Sequence, residues 1–176
     1  VITLATLLQD AGYNTAMSGK WHLGYADPSL LPINRGFKQT VTMPFSGGDN
    51  WTQQSYVPHY DKTLWLENGK EISVPEGFYS SKFIVDKAIQ QLENYQKNHE
   101  GKRQPFFSYV SFQAVHIPVQ APKEFTEKYI GSYREGWHAL RKSRQNAVKD
   151  LGLIPASAPM KRMATTDDWD KLSEEE

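Results

Sequence analysis

Two short segments hold the residue types that do chemistry near neutral pH. In Gly19-Lys20-Trp21-His22-Leu23-Gly24 an ammonium and an imidazole lie two residues apart. In Gln113-Ala114-Val115-His116-Ile117-Pro118 a second imidazole precedes a turn-forming proline. No carboxylate lies close to either segment except Asp27. A set so rich in donors and poor in anions does not hold a divalent cation by itself, because Lys20 repels it and Mg²⁺ or Ca²⁺ prefers oxygen ligands. Lys20, His22 and His116 suit instead a compact oxyanion such as sulfate or phosphate, whose charge they neutralise. A histidine near pH 7 also protonates a leaving oxygen or takes a proton from a hydroxyl. Each residue has a plainer alternative: a hydrogen-bonded loop histidine, a packing plug at Trp21, a turn residue at His116.

The two segments meet only if the elements before them are neighbours. Residues 13–18 read as a strand, with Tyr13, Thr15 and Met17 on one side and Gly19 as its stop. Residues 106–112 are aromatic and β-branched, the pattern of a strand buried on both faces in a parallel sheet. Both segments therefore follow a strand, and ligands of open α/β sheets bind at the carboxyl ends of strands. A short helix is expected over 3–11, with Leu4, Leu7, Leu8 and Ala11 on one face. A longer helix over 80–96 carries Ile84, Ala88, Leu92 and Tyr95, with Ser80 or Ser81 as its cap. Between them the prolines of 19–79 predict a loop-rich stretch, relieved by a hairpin at Asn68-Gly69 between Thr63–Leu66 and Glu71–Val74. Two helices, near 123–129 and 134–150, complete the order. The fold class is α/β, and two strands make only part of a sheet.

Composition narrows the function. The chain has 176 residues, 20 Lys+Arg against 20 Asp+Glu, and no cysteine. Zero net charge argues against a nucleic-acid partner, even though Arg141-Lys142-Ser143-Arg144 is a basic run. No stretch is apolar for long enough to span a membrane. Charge is segregated, with a basic run over 123–162 and an acidic end over 165–176. His59, His99 and His138 lack metal-ligand spacing, and Ser46-Gly47-Gly48 lacks the Lys-Ser/Thr ending of a phosphate-binding P-loop. No metal ligands are expected in this chain.

Leu7-Leu8-Gln9-Asp10-Ala11-Gly12-Tyr13-Asn14-Thr15-Ala16-Met17-Ser18-Gly19-Lys20-Trp21-His22-Leu23-Gly24 closely resembles the second signature region of the type I sulfatases. Asn34-Arg35-Gly36-Phe37 looks like the short segment that follows it in that family. Phe106-Phe107 through His116-Ile117-Pro118 resembles the family's strand and sulfate-site histidine, with Val115 where the family often has proline. Residues 133–155 are similar to an insertion typical of the arylsulfatase branch. The resemblance implies an alkaline-phosphatase-like sandwich with a mostly parallel central sheet, incomplete in this chain, and hydrolysis of sulfate esters. It implies that Lys20 bridges the sulfate and a formylglycine nucleophile. His22 would hydrogen-bond the hydrated aldehyde, and His116 would hold a sulfate oxygen and assist the leaving alcohol.

The resemblance also implies a Ca²⁺ ion and a formylglycine whose residues are not found here. No Cys/Ser-x-Pro-x-Arg match precedes Lys20, and neither the paired Asp nor the Asp-Asn-Gly of the family's metal site is present. Residues 1–176 are thus expected to be an internal portion of one catalytic domain. Within it, 40–79 would be a loop and hairpin insertion, and 122–176 a helical insertion with an acidic end. Such a portion is expected to be inactive alone. The substrate would be a small-molecule or carbohydrate sulfate ester, with Trp51 and His59 as further contacts in an aromatic loop that also holds Tyr56, Tyr60 and Trp65. Similar sulfatases are usually periplasmic, secreted or lysosomal. Two alternatives stay open: a phosphoesterase of the alkaline phosphatase superfamily, and a non-catalytic anion-binding module.

Overall fold

The structure, a computed structural model, describes residues 2–98, 104–161 and 169–173. Thr3 starts the first helix, α1 (Leu4–Asp10): its extended backbone turns the hydroxyl onto the Thr6 N–H at 3.1 Å. The inward residue of α1 is Ala5, whereas Leu4 and Leu7, expected on the buried face, are exposed. The cause is Gly36. A Cβ there would lie 2.2 Å from the Thr6 nitrogen, so backbone meets helix with room for alanine only.

Strand β1 (Asn14–Lys20) follows and is the centre of the first unit. It pairs in parallel with β2 (Gln39–Met43) on one side and β5 (Phe106–Ser111) on the other. Strand β2 lies inside the stretch expected to be loops. Its five residues, Gln-Thr-Val-Thr-Met, are β-branched enough to form a strand, but flanking Gly36 and Pro44 make the segment read as punctuation. Strands β3 (Trp65–Glu67) and β4 (Lys70–Ile72) form the expected hairpin, with positive φ at both Asn68 and Gly69 as a type I′ turn requires. The hairpin is part of the sheet, because β3 pairs antiparallel with β2 and gives the order β4-β3-β2-β1-β5.

Helix α2 (Ser80–Asn98) covers one face. Its Phe83 and Ile84 pack with Val41, Met43, Trp65 and Phe78. Trp65, named with the candidate substrate loop, is therefore a core residue. Two polar tethers fix α2 to β1: Ser18 Oγ donates to Ile84 O at 2.7 Å, and Gln91 Nε2 donates to Met17 O at 3.1 Å. The opposite face buries Ala5, Met17, Trp21 and Phe37 beneath α1. Strand β5 departs from expectation. Phe106, Tyr109 and Val110 are exposed, because among the described residues β5 pairs only with β1 and forms the sheet's edge.

The chain divides into two compact units, Val1–Gln120 and Ala121–Glu176. The second holds α3 (Lys123–Thr126), a 3-10 turn at Glu127–Tyr129, and α4 (Gly136–Asp150). Gly136 is tight against Trp169, which also packs edge-on to Trp137 at 5.1 Å. Leu151, just after α4, is exposed. His99 and the acidic end at Glu174, Glu175 and Glu176 lie outside the described residues. No described helix is long and apolar enough to cross a membrane.

Gly19 controls how closely β1 and β5 approach. Its φ is +115°, and a Cβ there would sit 1.9 Å from the Ser111 carbonyl oxygen. Gly19→Ala is expected to cost about 2–3 kcal/mol through backbone strain and strand displacement. Gly77→Ala, in open space at φ +68°, is expected to cost about 1–2 kcal/mol from the left-handed backbone alone. Urea melts of the two variants check this; equal losses would refute the close-approach account.

Candidate active site

The parallel ladder runs past the end of β1. Trp21 N–H donates to Met43 O at 2.9 Å and His22 N–H to Pro44 O at 3.0 Å, so Lys20 to His22 stay in register with the end of β2. Trp21 turns into the core, edge-on to Phe37, and its Nε1–H donates to Leu30 O at 2.9 Å. The packing plug is thus real and it has a consequence. Buried Trp21 separates Lys20 and His22, and His22 adopts φ +58° with its ring exposed.

Lys20 sits at the carboxyl end of β1, half-buried, its carbonyl accepting the Ser111 hydroxyl at 2.5 Å. Its ammonium has no hydrogen-bond or ion-pair partner among the described residues. Burial pushes its pKa below the ordinary lysine value, because the charged form loses water and gains no counter-charge.

His116 lies on the loop after β5, the strand adjacent to β1. Its Nδ1 is 2.7 Å from Ile117 O. A carbonyl only accepts, so Nδ1 carries a proton, and in a neutral ring with that tautomer the lone pair is on Nε2. Nε2 faces Ser46 Oγ at 3.4 Å. This tautomer presents an acceptor, and on protonation a donor, toward the end of β2.

Residues 113–120 and 46–52 are joined by side-chain amides. Gln113 accepts from Gly48 N–H at 3.0 Å and donates to Gly48 O at 2.7 Å and Asn50 Oδ1 at 3.2 Å. Gln120 accepts from Asn50 N–H at 2.9 Å and donates to Asp49 Oδ2 at 2.8 Å. Ser80, expected as a helix cap, gives its hydroxyl to Asn50 Oδ1, and its N–H donates to Asn50 O at 2.8 Å. Burial tends to raise the Asp49 pKa, but hydrogen bonds from Gln120, Trp51 N–H and Thr52 outweigh it and hold the carboxyl below its usual range.

Trp51 belongs to this loop and stacks on Tyr79 at 5.6 Å with part of its indole exposed. His59 is exposed and shows no side-chain partner. It is placed by its neighbour Tyr60, which stacks on Phe45 at 4.2 Å and hydrogen-bonds Tyr25. The strand order thus puts Lys20, His22 and His116 at the carboxyl ends of adjacent parallel strands. Trp51 connects to the His116 loop through Asn50 and Gln120, while His59 shares no hydrogen bond with that set. Ser46, Asn50, Gln113 and Gln120 were not foreseen. They are ordinary polar residues in aperiodic loops, where only long-range contact reveals a role.

The sequence pattern of the sulfatase family matches residues 2–162. The chain belongs to the sulfatase family. It is 41% identical to an uncharacterized sulfatase of Schizosaccharomyces pombe, over all of this chain and 32% of that protein. It is 33% identical to the arylsulfatase of Klebsiella aerogenes, over all of this chain and 37% of the enzyme. The chain thus spans about a third of the length of these relatives. A solved structure, BT4656 in complex with its substrate D-glucosamine-2-N,6-O-disulfate, superposes with a TM-score of 0.53 at 29% identity, covering 74% of this chain and 22% of that one. Sulfatases have the alkaline-phosphatase-like fold, and the mostly parallel sheet described above is a portion of that α/β architecture.

The desolvated ammonium gives a direct test. In a pH titration of lysine side-chain NMR signals, Lys20 is expected to lose its proton below the ordinary lysine value of 10.5. The unfolded chain binds more protons between the lowered value and 10.5, so Lys20 makes stability rise with pH across that window. A Lys20 midpoint at or above 10.5 would contradict the burial argument.

Proposed function

We propose that this chain supplies the oxyanion-binding and proton-handling side of a sulfuric ester hydrolase. The observation that carries the reading is the unpartnered, partly desolvated Lys20 ammonium at the carboxyl end of β1, next to the strand that delivers His116. A sulfate ester carries one negative charge spread over its non-bridging oxygens. Lys20 neutralises it where water is partly excluded and Coulomb attraction is stronger than in bulk. His116, protonated at Nε2, donates to a sulfate oxygen or to the leaving alcohol oxygen, and its Nδ1–H bond to Ile117 O holds the ring. His22 adds a second imidazole from the turn after Trp21. The substrate is a small-molecule or carbohydrate sulfate ester, and Trp51 supplies a partly exposed aromatic face against it. His59 lies farther along the same loop as an outer contact. Family membership and the sulfated glucosamine held by the solved relative support this class.

Sulfatases use a calcium ion and a formylglycine nucleophile, and the residues at hand fit neither. The chain has no cysteine and no Ser-x-Pro-x-Arg match, and among the described residues no group of three or more His, Asp or Glu could hold an ion. We place those ligands outside Val1–Glu176 and assign this chain the anion-binding part alone. We take it as an internal portion of one catalytic domain, with 40–79 as a loop and hairpin segment joined to its sheet and 122–176 as a helical insertion with an acidic end.

Titration of the folded chain with sodium sulfate against sodium chloride, followed by NMR, tests the reading. Sulfate is expected to move the Lys20, His22 and His116 signals together. Lys20→Ala should weaken binding about 10- to 100-fold, the worth of one charge-assisted hydrogen bond. Affinity should fall as pH rises through the lowered Lys20 pKa. Sulfate shifts no larger than those from chloride would sink the assignment. The chain alone is expected not to turn over 4-nitrophenyl sulfate with Ca²⁺ present, and measurable turnover would overturn the division of labour.

A further inference from the structure

His116 is poorly held by its own contacts. Its ring makes one good bond, to the carbonyl of the next residue, and one long contact of 3.4 Å to Ser46. What fixes it is a pair of amides at the two ends of its loop, three residues before it and four after. Gln113, almost wholly buried, pairs with both the N–H and the C=O of Gly48, as a neighbouring strand would. Gly48 in turn lies close against Thr63, where a Cβ would come within 2.5 Å of Thr63 Oγ1. Gln120 closes the other end on Asn50, taking both its backbone N–H and its Nδ2–H at 3.1 Å. Asn50, 2% exposed, is tied in turn to Ser80 at the start of α2.

We propose that Gln113 and Gln120 are positioning residues that together set His116 Nε2 over Ser46 and fix the Trp51 loop relative to it. The sulfate-handling role of His116 is taken from the proposed function; the clamp itself rests on these bonds. A primary amide suits the task. Gln113 satisfies both backbone groups of Gly48, and Gln120 accepts from Asn50 while donating to the Asp49 carboxylate, and neither amide itself adds charge beside His116. The clamp is therefore indifferent to pH where the imidazole titrates. A loop bonded at both ends loses the freedom that would otherwise blur the ring's position, and loose positioning is costly in an active site.

The experiment compares Gln113→Met and Gln120→Met with the unaltered chain by ¹⁵N NMR of the imidazole rings, with thermal melts as control. The expected result is a His116 pattern that leaves the Nδ1–H form for the mixture of tautomers shown by a free imidazole. His22 should stay unchanged, and sulfate affinity at His116 should fall about three- to tenfold. A purely structural role lowers the melting temperature and leaves the His116 ring pattern of the folded protein as it was; that result overturns the proposal. Should Gln113→Met lose its cooperative melt, Gln120→Met, at a half-exposed position, decides alone. If sulfate fails to move His116 in the unaltered chain, the hydrolase reading falls. The ring pattern still judges the clamp, because it is measured without any anion.

Discussion

The close approach of β1 to β5 is the constraint from which the rest of the site follows. With Gly19 opposite Ser111 and no side chain between them, the two strands end side by side. The Ser111 hydroxyl bonds the Lys20 carbonyl just beyond, so the ladder continues into the residues that carry charge. On the other flank, Trp21 and His22 stay hydrogen-bonded to the end of β2. Lys20 is thus flanked by a side-chain bond from Ser111 on one side and by the backbone bonds of Trp21 and His22 to the end of β2 on the other, with Trp21 buried. A rigid sheet edge then presents flexible-looking loops with little freedom of their own.

How much of this was legible in the sequence depended on the range of the physics involved. Strands β1 and β5, helix α2 and the Asn68-Gly69 turn follow from local periodicity and backbone preference, and the structure contains them at nearly the expected residues. Strand β2 was hidden, because five residues between a glycine and a proline offer no repeat to detect. The inward face of α1 was misread for a different reason. Leu4 and Leu7 carry the apolar pattern, yet Gly36 brings a backbone so close that only Ala5 fits. Strand β5 has the composition of a buried strand and lies at an edge, since composition states what a strand tolerates and not which neighbours it has.

The site divides along the same line. Lys20, His22 and His116 stand out in sequence because their chemistry is scarce and each follows a strand. The amides of Gln113, Asn50 and Gln120 carry no such signal. Glutamine and asparagine are common in loops, and their value here comes from partners 63 to 70 residues away. Sequence resemblance identifies the reactive groups, whereas the groups that hold them in place become visible only as geometry.

Charge explains why the loops around this edge are built from neutral amides. A carboxylate left free beside Lys20 would neutralise it and compete with an anionic ester. Of the three aspartates on these loops, Asp27, Asp49 and Asp61, the first two are committed elsewhere. Asp27 accepts the Ser29 N–H at 2.8 Å and stays below its ordinary pKa through hydrogen bonds from Ser29. Asp49 is saturated by Trp51, Thr52 and Gln120. Asp27 thus serves as a local turn-former, whereas Asp49 combines local donors from Trp51 and Thr52 with the distant amide of Gln120. The Lys20 ammonium is left with a desolvation cost and no hydrogen-bond or ion-pair partner among the described residues, and in the proposed function a bound oxyanion offsets that cost. The same desolvation that makes Lys20 a poor contributor to stability is what the proposed role in anion binding rests on.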